Sequence, residues 1–330
     1  MLVLAKAAMA MMLGFILSIV AGLILIPIFK KIKAGQNVST TIGERHMKKN
    51  GTPTLGGLIF IIPTIVTLLL LKLKGSIDIS YNLLIVMIVF VAYAALGFAD
   101  DWLKIRYHNN KGLTILFKLA CQMAIALVFF YIYITNGGSP VVEISAIGFR
   151  MDLGWLYGIF ILFLLVGSSN AVNITDGLDG LAGGLSAIAF LAYGLLAWNA
   201  SWMQGAQEVG IFCFVLVGTL LGFLVFNSHP AKVFMGDTGS LALGGALAAI
   251  AILTKHELLL AVVGGVFVVE TLSSMIQMIA IIKFKRKILK MAPLHHHYQK
   301  KGIKEVKLVT RFWLVGIILA IITLVTLKIR

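Results

Sequence analysis

The sequence predicts an all-α polytopic membrane protein of about ten transmembrane helices, with both termini outside and a small outer hairpin. Three observations predict it. Of 330 residues, 60% are hydrophobic and 12% charged, against about 45–50% apolar and about 25% charged in a soluble domain. Apolar runs near the ~20 residues of helix that span a bilayer recur along the whole chain. The net charge of +15, from 28 Lys plus Arg against 13 Asp plus Glu, gathers in alternate loops. Such a composition excludes a cytosolic globular enzyme, a disordered chain, a coiled coil and a disulfide scaffold.

The runs are 7–29, 55–71, 81–99, 115–135, 155–171, 181–199, 208–226, 239–254, 258–282 and 308–327. The first is no cleaved signal peptide, because Lys30, Lys31 and Lys33 follow the apolar stretch instead of preceding it. The eighth is short, as a tilted or partly re-entrant segment would be. Segments after the odd-numbered runs carry 6, 3, 0, 1 and 9 Lys or Arg, and the opposite segments hold seven. Positive charge marks cytoplasmic loops, so these five loops face the cytoplasm and an even number of spans follows. Between the fourth and fifth runs, Val141, Glu143 and Ser145 alternate with Val142, Ile144 and Ala146, which predicts the hairpin. Cys121 and Cys213 lie in apolar runs as small hydrophobes. No linker interrupts the chain, so 1–330 reads as one domain.

Carboxylates near hydrocarbon are expensive, so their positions carry information. Five aspartates cluster in three nearly Lys-free patches on the basic face. Asp100-Asp101 ends the third run; two adjacent carboxylates repel unless a cation or a proton intervenes, and Mg²⁺ takes such oxygen ligands together with phosphates. Asn173, Asp176 and Asp179 recur every three residues beside Gly177 and Gly180, which places them on one side of a helix or tight turn; the plainer reading is a turn in which Asp179 caps the next helix. Gly236-Asp237-Thr238-Gly239-Ser240 opens the eighth run, with Asn227 and Phe234 just ahead of it. Three even-numbered runs begin rich in glycine (Gly56-Gly57, Gly183-Gly184, Gly244-Gly245). Their positive dipole ends suit a phosphate, although small residues also serve close helix packing. The last basic loop holds His295-His296-His297. It lacks the partners of a zinc site and offers imidazoles for phosphate binding or proton transfer. Glu270, in the ninth run with Gln277 on its face, is either functional or a buried helix-to-helix hydrogen-bond partner.

A basic face with carboxylates and glycine-rich helix starts suits a diphosphate bridged by Mg²⁺, and a ten-span body suits a lipid second substrate. No Walker motif or GxGxxG occurs. Polar residues crowd one surface, which disfavours a transporter.

In order along the chain, Asp100-Asp101, Asn173-x-x-Asp176-Gly-x-Asp179-Gly180, Gly236-Asp237-Thr-Gly-Ser and Pro293-Leu-His295-His-His297 resemble the polyprenyl-phosphate sugar-1-phosphate transferases. The similarity covers essentially the whole chain. The His motif, with Thr52-Pro-Thr54-Leu-Gly-Gly57, resembles the branch acting on UDP-MurNAc-pentapeptide; Tyr298 and Ile303 depart from it where Phe and Trp are expected. The resemblance implies transfer of phospho-MurNAc-pentapeptide from UDP to undecaprenyl phosphate, giving lipid I and UMP with Mg²⁺. It implies a homodimer in the lipid bilayer and no nucleic-acid partner. Asp237 would contact Mg²⁺ with Asp100 and Asp101 close by, and Asp100 would activate the lipid phosphate. Lys104 and Lys118 would lie on phosphates. Asn173, Asp176, Asp179, Asn227, Phe234 and Gln277 would hold the nucleoside side, with Phe234 stacked on uracil. His295, His296 and His297 would meet the sugar-phosphate side or the metal, and Lys49 and Thr54 would line the same pocket. One-step in-line attack and a two-step route through an aspartyl nucleophile, Asp101 or Asp237, both stay open. A GlcNAc-1-phosphate transferase on the same lipid is the nearest alternative.

Overall fold

A computed structural model of the chain describes residues 2–32, 51–107, 112–144, 148–200 and 203–328. In hydrocarbon the backbone finds no water, so an apolar run must close its own hydrogen bonds as a helix. In chain order the elements are α1 (Leu2–Lys31), α2 (Leu58–Leu73), α3 (Tyr81–Arg106), α4 (Ile115–Thr135), β1 (Val141–Ile144), β2 (Phe149–Asp152), α5 (Leu156–Thr175), α6 (Leu181–Trp198), α7 (Ala206–Asn227), α8 (Gly236–Leu253), α9 (Leu260–Val263), α10 (Gly265–Phe284), α11 (Leu294–Lys300) and α12 (Glu305–Lys328). Nine of the described helices are long and apolar enough to cross a membrane. The fold is therefore that of a multi-pass membrane protein, all-α apart from one hairpin.

Two runs depart from a simple span. The second yields only the 16 residues of α2, because its first residues are drawn into a ladder with another segment. The amides of Gly56 and Gly57 donate to the carbonyls of Phe234 and Met235 at 2.8 and 2.9 Å, and Phe234 N donates to Pro53 O at 2.8 Å. The ninth run is broken at Gly264 into α9 and α10. The short eighth run is one continuous helix, α8.

The predicted hairpin is present, with β1 and β2 antiparallel and Glu143 opposite Arg150, their side chains 3.5 Å apart. Lys255, in the turn after α8, anchors it: Nζ donates to Ser139 O and, at 3.3 Å, to Tyr157 Oη. Tyr157 in turn donates to the buried Glu257 Oε1 at 2.5 Å.

The interior is built from α7 and α8, whose apolar windows are 89% buried, and α6, at 78%. The helices α1, α4, α10 and α12 form the rim, with no more than 33% of their windows buried. Small residues let backbones approach, as expected where lipid is as apolar as the protein. Ser18 of α1 donates to Thr219 O of α7 at 2.7 Å. Helices α3 and α8 run antiparallel in close contact, Tyr93 beside Gly245 and Gly97 beside Asp237. This contact brings the end of α3 to the start of α8.

Candidate active site

Three of the predicted patches meet where α3 ends and α8 begins. Asp100, Asp101 and Asp237 bring one carboxylate oxygen each within 4.8 Å of one another. Asp100 and Asp101 are buried and Asp237 is partly so. Two lysines offset their repulsion. Lys104 Nζ lies 2.5 Å from Asp100 Oδ2, 3.8 Å from Asp101 Oδ1 and 3.1 Å from Asp237 Oδ2. Lys118, from the first turn of α4, lies 2.5 Å from Asp237 Oδ2 and 3.9 Å from Asp100 Oδ2. Lys104 is placed by helical geometry, one turn beyond Asp100 on the same face.

Each aspartate has a separate task. Asp100 Oδ1 accepts from Leu113 N at 2.8 Å, and Gly112 (φ +55°) packs so tightly on this carboxylate that a Cβ would fall 2.7 Å from Oδ1. Asp101 caps α8 from another helix: it accepts from Asp237 N at 3.2 Å, Thr238 N at 2.9 Å and Thr238 Oγ1 at 2.7 Å. A carboxylate at a helix start also meets the positive end of the dipole. Asp237 is the hub, and besides both lysines it accepts from Asn173 Nδ2 at 2.7 Å. Asn173 donates as well to Ser240 Oγ at 2.8 Å. Thr54 is buried nearby, its Oγ1 and Asp101 Oδ2 both against the Cα of Gly236 (φ +74°). Asp101→Asn turns an NH₂ toward amides that need an acceptor. It should cost about 1–2 kcal/mol, the scale of a lost helix cap, read as a lower Tm in detergent.

The donor set fits a hard divalent cation: three convergent carboxylates, with lysines that can turn to phosphates. Asp176, the residue after α5, faces this cluster electrostatically. Burial, then the charges of Asp237, Asp101 and Asp179, push its carboxyl up to about 8.

The rest of the second patch is braced from behind. Gly180 (φ +78°), not Asp179, is the residue that starts α6. Asp179 Oδ2 lies 2.8 Å from His229 Nδ1 and accepts from Ala231 N at 3.2 Å, and Asp179 N donates to Glu305 Oε1 at 2.8 Å. Asn227 accepts from Gly180 N at 3.0 Å and donates to Val233 O at 2.9 Å. Asp179, His229 and Glu305 also lie within 4.8 Å of one another, joined by these bonds as a strut between three segments. Of the predicted glycine pairs, Gly56, Gly57 and Gly183 lie against residues 233–239, whereas Gly184 packs on Trp313, Gly244 on Ser168 and Ser169, and Gly245 on Tyr93. The amides of Gly56, Gly57, Gly180, Asp237 and Thr238 donate within the protein, so the lysines are the better phosphate partners. Phe234 is pinned by its backbone with its ring half-buried.

The histidine loop hangs on α10. Gln277 Oε1 accepts from Ile288 N at 3.1 Å and Leu289 N at 2.9 Å, and Ser273 Oγ accepts from Leu294 N at 3.0 Å. Gln277 thus holds the loop. Glu270 receives His295, with Nδ1 3.0 Å from Oε2. His296 Nδ1 lies 2.9 Å from Gln299 Oε1. His297 Nδ1 accepts from Lys290 N at 3.0 Å; burial and the charges of Lys301 and Lys290 hold its ring below the usual imidazole range, in keeping with that lone pair. Lys49 falls outside the described residues. Sequence reasoning missed Glu305, Gly97 and Gly112, which act only through contacts distant in the chain, and it named Thr238 and Ser240 as part of a motif without their bonds to Asp101 and Asn173.

The model of glycosyl transferase family 4 matches residues 83–255, a stretch that contains all three aspartates of the cluster. The chain is 47% identical over 313 residues to a phospho-N-acetylmuramoyl-pentapeptide-transferase of Geobacillus thermodenitrificans, covering 95% of both chains. It is 48% identical over 313 residues to the protein of that name from Geobacillus kaustophilus, again 95% of both. To that from Bacillus subtilis it is 48% identical over 311 residues, 94% of both. With the family model matching over half of its length and relatives this similar end to end, the chain belongs to glycosyl transferase family 4, among the phospho-N-acetylmuramoyl-pentapeptide-transferases.

Proposed function

We propose that this enzyme transfers phospho-MurNAc-pentapeptide from UDP-MurNAc-pentapeptide to undecaprenyl phosphate, giving lipid I and UMP at the cytoplasmic face of a bacterial plasma membrane. The observation that carries the reading is the convergence of Asp100, Asp101 and Asp237 with Lys104 and Lys118 at one end of the bundle. Phosphoryl transfer needs charge neutralisation and positioning more than covalent help, and this cluster supplies both.

Mg²⁺ is the cation that suits these carboxylates, with Asp237 as its main ligand and Asp100 and Asp101 beside it. When bound, it would neutralise charge on the donor diphosphate. Lys104 and Lys118 bind phosphate oxygens of donor and acceptor. Asp100, its own oxygens on Leu113 N and Lys104, stands toward the acceptor and orients Lys104. The acceptor oxygen attacks the phosphorus that bears the sugar, a new P–O bond forms, and the bond to the UMP oxygen breaks. A phosphate monoester loses its second proton near pH ~6, so the attacking oxygen is already anionic at neutral pH. The absence of need for a strong base favours direct in-line attack over an aspartyl intermediate, and so does the use of Asp101 as a helix cap. Asn173, Asp176 and Phe234 bound the nucleoside side, and the histidines face the sugar.

The test is UMP release by the purified enzyme in vesicles. Release should require UDP-MurNAc-pentapeptide, undecaprenyl phosphate and Mg²⁺ together. Turnover of UDP-GlcNAc alone would refute the donor assignment, and trapping of a phospho-enzyme would refute the single step.

A further inference from the structure

Glu270 and His295 form a buried pair, and the scheme above gives Glu270 no part. Both side chains are fully inaccessible. Glu270 Oε2 accepts from the backbone amide of His295 at 3.2 Å and lies 3.0 Å from its Nδ1. A carboxylate can only accept, so Nδ1 carries the hydrogen and Nε2 is the ring nitrogen left for something else. Among the described residues Nε2 has no hydrogen-bond partner, and neither does Glu270 Oε1. Nε2 is aimed at the backbone of Gly177, where a Cβ would come within 2.3 Å of it. Gly177 lies in the Asn173–Asp179 segment, whose first residue holds Asp237.

The surroundings separate this pair from ordinary loop packing. Glu270, Ser273 and Gln277 form a stripe on α10 that ties down residues 288–295. Ser273 and Gln277 end on backbone groups alone. Glu270 also ends on a ring whose far nitrogen is buried and unspent beside the nucleotide segment. A carboxylate behind a histidine fixes its tautomer and orientation.

From this geometry we infer that Glu270 is a positioning residue for the transfer reaction: it locks His295 with hydrogen on Nδ1 and sets Nε2 against Gly177, so that the ring fixes the donor-side segment. The inference rests on the reading of the Asn173–Asp179 segment and the histidine loop as the donor side.

The experiment compares kcat and KM for the nucleotide in the full-length enzyme carrying Glu270→Ala, Glu270→Gln, His295→Ala, Ser273→Ala or the Glu270→Ala/His295→Ala pair. Glu270→Ala should lower kcat by about 10–100-fold, as loss of an orienting partner does, with KM changed less than about threefold. Glu270→Gln, whose amide oxygen can still accept from Nδ1, should recover most of that loss. The double variant should be no slower than His295→Ala, because a residue acting only through another adds nothing once the other is gone. Additive losses in the double variant would overturn the inference, as would a fall in kcat for Ser273→Ala as large as that for Glu270→Ala. Wild-type kcat in Glu270→Ala with an inactive His295→Ala would sink the inference and leave the donor-side reading standing. Full activity of His295→Ala would instead remove that reading, and the inference with it. Thermal unfolding of each variant identifies any that fails to fold, and Glu270→Gln then decides.

Discussion

Asp237→Asn should slow UMP release by about a thousandfold, roughly 4 kcal/mol of barrier, while the enzyme still folds. The carboxylate of Asp237 is shared by Lys104 at 3.1 Å, Lys118 at 2.5 Å and Asn173 at 2.7 Å. Losing its charge leaves the cluster two carboxylates against two lysines, so little remains to attract a dication. The fold is spared because α8 is held by Asp101 through the backbone amides of residues 237 and 238, which the substitution does not touch. The measurements are UMP release against Mg²⁺ concentration and the Tm of the same preparation. Release within tenfold of wild type would remove Asp237 from the centre of the site.

Gly97→Ala should damage both activity and stability, although Gly97 touches no substrate in the scheme. A Cβ there would stand 2.1 Å from the carbonyl oxygen of Asp237 and 2.6 Å from Thr238 N. These are backbone atoms in the first turn of a buried helix, so the obstruction cannot rotate aside as a side chain would. Helix α3 must retreat, and with it the Asp101 bonds to Asp237 N, Thr238 N and Thr238 Oγ1. Overpacking costs about 1–3 kcal/mol, and a misplacement of about 1 Å costs about a hundredfold in rate. Gly167→Ala is the control, since a Cβ there meets nothing within 4 Å. The expected result is a lowered Tm and slowed UMP release for Gly97→Ala and neither for Gly167→Ala. Equal behaviour of the two would show that the α3–α8 approach does not govern the site.

These two cases mark what the sequence can and cannot say. Asp237 was legible because a carboxylate beside a membrane span is costly enough to demand a reason. Gly97 was not, because a glycine in an apolar helix reads as generic small-residue packing until its neighbour is known. The spans were legible for the same reason as Asp237: hydrocarbon permits few alternatives to a helix. The shortening of α2 was not, since it depends on a ladder between residues 53–57 and 234–235. Of the glycine-rich helix starts only that of α2 reaches the corner directly, and its amides are spent inside the protein, while Gly184, Gly244 and Gly245 serve helix packing. Glu270 was noticed as an anomaly, and its partner His295, 25 residues on in a separate loop, could not be read from the sequence.

The two halves of the site hang on very different supports. The carboxylate corner is carried by α3 and α8, whose apolar windows are 50% and 89% buried, whereas Glu270 and the histidine loop are carried by α10, only 33% buried. Most of α10 therefore lies on the outside of the bundle. Any tilt or shift of that helix does work against the surrounding bilayer, a cost that depends on membrane thickness. The thickness and stiffness of the host membrane should thus act on the histidine arm more directly than on the carboxylate corner.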